Sequence, residues 1–349
     1  MNMRKLFTRR RVGAAIGLAV VLCAGTPQAR GDVYLARDGG FEGSATVVSG
    51  SDTSPQADKW TSIANNTIAT ETSIVRSGSK SLWISNSSAS TGRRVWTPLM
   101  SFSSQTTSLT MQYYRLITNA NYCQSNQVTV IRDGSETTQS GYTAPASINT
   151  WEKKTYSPSS STFSSLAWAI MNRGNGRMYI DDLCCYNGGV DTTAPSSAGA
   201  ITITTNSATE LGISWGAASG GVDSGGYLVV RYTTSPDASD DPNVNGIYAS
   251  NNTIVVTQTG TVRYQGGGTS FADSGLTTSQ TYYYKVYTYD KAYNYATEVS
   301  ESGTPMSAAT PTITLSAAAL SAFTTVVGTP SAYQTFTAEG VNLTANITV

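Results

Sequence analysis

Between residues 107 and 186, apolar and polar side chains alternate with a period of two. TSLTMQYYRLI (107–117) places Leu109, Met111, Tyr113 and Arg115 on one side of a strand and Thr110, Gln112 and Tyr114 on the other. SSLAWAIM (164–171) sets Leu166, Trp168 and Ile170 against Ala167, Ala169 and Met171. SNQVTVIRDG (125–134) reads as a strand ended by a turn dipeptide, and RMYIDDLCCY (177–186) as a closing strand. No stretch between them holds a helical period long enough for a substantial helix. A run of about 155 such residues can bury a two-sheet core unaided. After GGVDTTAPSSAG (188–199) the same period returns in AITIT (200–204), ELGISW (210–215), YLVVRY (227–232) and TYYYKVYTYD (281–290). The chain therefore reads as all-β: a sandwich over 32–187, a linker over 188–198, a second sandwich over 199–306, and a further β segment over 311–349. That last segment is too short to bury a sandwich core. It is expected to be the start of a truncated module, and the chain a fragment of a longer product.

The N-terminus follows a different pattern. Arg4, Lys5, Arg9, Arg10 and Arg11 precede an apolar run from Val12 to Ala24, followed by small and polar residues. This is the layout of a secretory signal peptide, residues 1–29, and its apolar run is short for a membrane span. No transmembrane span is expected after cleavage, and the mature chain is expected to be secreted or held at the cell surface. The precursor balances 22 basic against 22 acidic residues. Removing five basic residues leaves the mature chain mildly acidic, without a basic face for phosphate backbones, so nucleic acid is not an expected partner.

Composition narrows the chemistry. The chain has no histidine, which excludes Ser-His-Asp and Cys-His catalysis and any His-ligated metal. Only 13% of residues are charged, a texture that suits a secreted β protein. Three cysteines follow the signal segment: Cys123, Cys184 and Cys185. Neighbours in one strand point to opposite faces, so a single disulfide from Cys123 to either Cys184 or Cys185 is expected, leaving one thiol.

Several short motifs carry resemblances. DGGFEG (38–43), Trp60, SGSKSLWIS (77–85), TPLMSF (97–102), NTWEKKTYS (149–157) and MYIDDL (178–183) follow one another as in jelly-roll modules of the galactose-binding and carbohydrate-binding type. The second sandwich resembles a fibronectin type III domain, with Trp215 in the core Trp position, Leu276 before the penultimate strand, and Tyr282 or Tyr284 at the tyrosine corner. It departs from that family over 233–268, where SPDASDDPN (235–243) reads as a loop and IVVTQTGTVRY (254–264) as an extra hairpin. Residues 311–349 resemble the opening of a β module repeated in large exported proteins of the Bacteroidetes type.

Candidate site residues follow. Asp38, Glu42, Asp181 and Asp182, with the carbonyls of Gly39 and Gly40, bring oxygen ligands to the two ends of a jelly roll and describe a structural Ca²⁺ site. The resemblance implies the same, at Glu42 and Asp181. Adjacent Asp181 and Asp182 diverge unless a bulge re-aims one of them. Sugar binding needs exposed flat rings, and Trp83, Trp96, Tyr114 and Tyr122 are the candidates; Trp60, Trp168 and Trp215 belong to cores. Tyr287 and Tyr289 read as a stripe on one face of the second domain. Glu42 and Asp181 could stand at the separation of a glycosidase pair, but they fall at a domain edge and not in a groove, so no hydrolase is expected from them. The leading expectation is a non-catalytic modular protein that binds polysaccharide or a cell-surface glycan, with the type III domain as spacer. The alternatives are an adhesin for protein and an accessory region of a hydrolase whose catalytic domain lies elsewhere.

Overall fold

The computed structural model describes residues 33–342 apart from 35–38, 44–45, 50–53, 58, 63–65, 87–92, 107–108, 119–124, 158–161, 174–175, 256 and 307–309. The signal segment, Asp38, Tyr122 and Cys123 therefore lie outside the described residues. Among the described residues every regular element is a strand, so the chain is all-β as the alternation predicts.

The first domain is a sandwich of two antiparallel-dominated sheets. One has the order Glu152–Tyr156, Leu109–Ile117, Gly176–Asn187, Ser81–Asn86, Asn66–Glu71, with Val33–Tyr34 on the far end of Gly176–Asn187. The other runs Ser135–Thr143, Ser125–Arg132, Phe163–Arg173, Arg93–Trp96, Lys59–Ser62, Thr46–Val48, with Met100–Thr106 also on Phe163–Arg173. Period-two alternation supplies the core. Leu82, Ile84, Met111, Tyr113, Met178 and Ile180 from the first sheet meet Val95, Val128, Val130, Leu166, Trp168 and Ile170 from the second. Trp60 fills the space beside Phe41, ring centroids 5.1 Å apart. Arg115 shares the inward parity and is buried; Glu152 Oε2 accepts from its Nε at 2.9 Å, and Ala144 O from its Nη2 at 2.9 Å. An inward guanidinium at a strand end is tolerated only with such partners.

The closing strand breaks its own alternation. Met178 and Ile180 point inward, then the register against Leu109–Ile117 shifts between Asp181 and Cys184, and Leu183 and Cys185 point inward. Asp182, at φ +52°, absorbs the extra residue. Both aspartates thereby stand at the same edge of the outer face.

The second domain pairs a three-stranded sheet (Ile201–Ser207, Glu210–Trp215, Ser270–Ser274) with a five-stranded one. The latter has the order Thr253–Val255, Thr259–Gly266, Gly226–Tyr232, Tyr282–Tyr289, Val299–Gly303. Trp215 stands edge-on to Tyr227, Tyr264 and Phe271 in its core. Thr277 N donates to Tyr282 Oη at 2.9 Å, which makes Tyr282 the corner residue, while Tyr284 donates to buried Asp273 at 2.9 Å. The extra hairpin forms, Thr253–Val255 against Thr259–Gly266. Beyond it, Thr312–Leu315 pairs with Ala338–Val341 in a hairpin whose side chains are almost all exposed.

Candidate functional site

Two polar surfaces flank the first sandwich, one on the outside of each sheet, and their residues are treated very differently. On the first sheet, the opening loop, the Arg76–Lys80 turn and the bulge of the closing strand converge. Gly39 packs so tightly that a Cβ would sit 1.7 Å from Leu183 O, and Leu183 N donates to Gly39 O at 2.9 Å. Asp181 Oδ2 accepts from Arg76 N at 2.9 Å. Asp182 Oδ2 accepts from Arg76 Nη1 at 2.5 Å and its Oδ1 from Ser77 Oγ. Glu42 accepts from Ser79 N at 2.7 Å and Lys80 N at 2.9 Å.

The second domain completes this set. Its loop over 243–252, inside the segment that departs from the type III pattern, lies across the same edge. Ile247 N donates to Asp182 Oδ1 at 2.7 Å, Asn252 Nδ2 to Glu42 Oε2 at 2.6 Å, and Asn243 Nδ2 to Arg76 O at 2.6 Å. Arg76 Nη2 returns a bond to Val244 O at 2.7 Å, and Gln112 Nε2 donates to Ala292 O at 2.7 Å. Gly40 passes close under this loop, where a Cβ would meet Ile247 O at 2.9 Å. An apolar layer runs beneath: Cys184 and Tyr186 of the first domain pack with Leu228, Tyr248, Tyr287, Tyr289 and Tyr293 of the second. Burial, then the charge of Asp182, pushes Asp181 well above the usual carboxylate range.

Of the residues expected to hold Ca²⁺, Glu42, Asp181 and Asp182 stand at this edge and accept from N–H and O–H donors, while Asp38 lies outside the described residues. Among the described residues no group of three or more acidic or cysteine side chains is gathered for a metal ion. Glu42, Asp181 and Asp182 build an interdomain joint, a role hidden in the sequence because two of the donors, Ile247 N and Asn252 Nδ2, come from a distant loop. The disulfide expectation is also corrected at its described end. Cys184 and Cys185 are free and buried; the strand points Cys185 into the sandwich core and Cys184 into the joint. Burial raises the Cys185 thiol to about 12 and carries Cys184 well above the ordinary thiol value.

The predicted sugar-binding rings are not brought together. Trp83 and Trp96 belong to different sheets and both point away from the shared core, so they lie on opposite outer faces, and Trp96 is buried at 2% exposure, not the exposed ring expected. Trp83 is half-buried with the Arg177 guanidinium 4.3 Å over its ring. Tyr114 lies inside the joint, Arg76 stacked 3.3 Å above it and its hydroxyl 3.3 Å from Val244 O. Tyr287 and Tyr289 are not a surface stripe but are buried in that joint. The signal for them was Tyr248, Tyr293 and Tyr295 in otherwise polar loops, rings that need a surface to cover.

The second sheet's outer face carries the other arrangement. Thr61, Trp96, Ala169 and Thr129 stand side by side across four strands. Thr61 Oγ1, Trp96 Nε1 and Thr129 Oγ1 are buried, and among the described residues none has a hydrogen-bond partner. Arg94 Nη1 donates to Glu136 Oε2 at 2.5 Å. Two strands separate those backbones, so the ion pair crosses this face.

No protein-family model matches the chain, and no curated protein is significantly similar to it. Solved structures do match. The glycoside hydrolase domain of Endo-D from Streptococcus pneumoniae R6 is 9% identical, with a TM-score of 0.42 over 70% of this chain and 37% of its own. A β-1,2-glucanase from Parabacteroides distasonis is 15% identical, with a TM-score of 0.41 over 72% of this chain and 38% of its own. The CBM22-1 xylan-binding domain from Paenibacillus barcinonensis is 13% identical, with a TM-score of 0.29 over 38% of this chain and 88% of its own. Fibronectin type III domains are matched as well. The chain spans little more than a third of the length of the first two. The expectation of a non-catalytic chain is corrected at this point: two structures matched over more than two thirds of this chain are named for glycosidases, and the exclusion of an enzyme is withdrawn. No helix among the described residues is long and apolar enough to cross a membrane.

Proposed function

We propose that the chain is a carbohydrate-binding part of an exported modular protein, and that polysaccharide binds on the outer face of its second sheet. One observation carries this reading: the row in which Thr61, Trp96 and Thr129 leave three buried polar atoms without partners. Each such atom costs about 1–3 kcal/mol, and unmet donors and acceptors match the hydroxyls that a sugar offers once local opening of this buried row uncovers them. The Arg94 and Glu136 pair crossing above them supplies charged partners to the same ligand. The first sheet's outer face does not compete, because the second domain has taken its polar groups.

The test is Thr129→Val in the full chain, screened first against a broad polysaccharide panel. Valine keeps the shape and removes the hydroxyl. The variant is expected to melt no lower than the parent, since a buried unmet group has gone, while retention on the cognate polysaccharide drops several-fold. A parent that binds no polysaccharide, or a variant that binds one as well as the parent does, overturns the reading.

A further inference from the structure

Lys153 and Asn245 face one another across the joint. Lys153 lies on the edge strand Glu152–Tyr156, opposite Tyr114 in register, and Asn245 lies in the docking loop of the second domain. Lys153 Nζ donates to Asn245 Oδ1 at 2.8 Å. The amide is buried on all sides. Its Nδ2 donates to Ala292 O at 2.8 Å and Asn294 Oδ1 at 2.9 Å, and Tyr114 Oη donates to its Oδ1 at 3.4 Å. Asn294 Nδ2 in turn donates to Asp290 Oδ2 at 2.8 Å. Among the described residues no carboxylate pairs with the Lys153 amine. Burial pulls the Lys153 pKa down and the Arg76 guanidinium nearby adds to that, against the opposite effects of Cys184 and Asp290. The arrangement is a half-buried amine that gains little from being an ammonium, set against an immobile carboxamide.

We propose that Lys153 and Asn245 become joined by an amide bond between their side chains, which fuses the two domains covalently. With the amine at hydrogen-bond distance from Oδ1, its nitrogen stands roughly 3.5 Å from Cγ, a near-attack separation. A rotation about the last bonds of the lysine turns the N–H away from the oxygen and brings the lone pair of the neutral amine to the carbonyl carbon. The neutral amine attacks Cγ, and the developing oxyanion on Oδ1 is held by the Tyr114 hydroxyl, whose proton burial keeps in place. The proton released by Nζ passes to Nδ2, the Cγ–Nδ2 bond breaks, and ammonia leaves. One C–N bond forms and one breaks, one ammonia is lost, and no oxidant or other reactant is consumed. The neighbouring groups Ala292 O and Asn294 hold the leaving nitrogen during the step.

The experiment is mass spectrometry of the purified full chain beside Lys153→Arg prepared in the same way. The parent is expected to be lighter than its sequence by one ammonia, with a branched tryptic peptide that contains both Lys153 and Asn245. The variant is expected to regain the full mass of its sequence. A parent at full mass overturns the proposal. So does an ammonia loss that survives Lys153→Arg, which would mark a succinimide at Asn245 and Gly246 instead. Should the variant fail to fold, the branched peptide of the parent still decides, because its absence from a complete digest overturns the bond.

Discussion

The two outer faces of the first sandwich are made of the same materials: threonines, aromatic rings, an arginine and carboxylates on alternating strand positions. On the first sheet every carboxylate oxygen of Asp181, Asp182 and Glu42 is met by a donor, and two of those donors, Ile247 N and Asn252 Nδ2, come from the second domain. On the outer face of the second sheet three buried polar atoms are met by none among the described residues. The difference lies in what the rest of the chain supplies. A loop with N–H groups and amides to offer has closed one edge of that face into a joint, and so the second domain is a packed partner of the first sandwich. The face left unsatisfied is where an outside partner with hydroxyl groups can still lower the free energy.

The comparison breaks if equivalent arginines behave alike. Arg76 and Arg94 each pair with one carboxylate at 2.5 Å, but the Asp182 side chain is fully buried, whereas those of Arg94 and Glu136 are 36% and 32% exposed. Arg76→Ala removes the cation paired with buried Asp182, while Asp181 keeps its bond from the backbone N–H, and is expected to cost about 3–5 kcal/mol. Arg94→Ala is expected to cost no more than about 1 kcal/mol. Urea unfolding of the full chain measures both. Equal losses would mean that the joint is no more structural than the open face.

A thiol readout sharpens the same contrast. Cys184 and Cys185 are adjacent, equally buried, and differ only in which surface they face. In the parent, neither is expected to react with maleimide at neutral pH, because burial holds both thiols protonated. In Arg76→Ala, Cys184 is expected to become reactive while Cys185 stays protected until global unfolding. Labelling of both at one rate would show that the joint does not open separately from the sandwich core.

These effects also mark what could be read from the sequence. Period-two alternation is a local property, so the strands, the inward Trp60, Trp168 and Trp215, and the fold class were legible. The convergence of Glu42 with Asp181 and Asp182 was legible too, as was the condition that a bulge would be needed to aim both aspartates one way. What they bind was not. The donors Ile247 N and Asn252 Nδ2 come from a loop with no periodicity and more than sixty residues away in the chain, and backbone N–H groups leave no mark in composition. Trp83 and Trp96 were paired by nearness in sequence, but the short connection between them crosses from one sheet to the other. Parity within a strand says nothing about which sheet the strand joins.

The smallest effect expected concerns Trp83. Its ring stands on the first sheet, half-buried, and one contact is the Arg177 guanidinium at 4.3 Å. Its register neighbours are Ala69 and Tyr179, and no bond to the second domain involves it. A cation–π contact at such a site is worth about 0.5–1 kcal/mol, so Arg177→Ala is expected to lower the unfolding free energy by that much at most. It should leave Cys184 protected, since the joint is untouched, and should leave polysaccharide retention at the parent level, since the proposed face is on the other sheet. Thermal unfolding and the same pull-down measure these outcomes side by side. Retention that falls with Arg177→Ala but not with Thr129→Val would move the binding surface to the first sheet, and the contrast between a filled face and an open one would then fail as a guide to function.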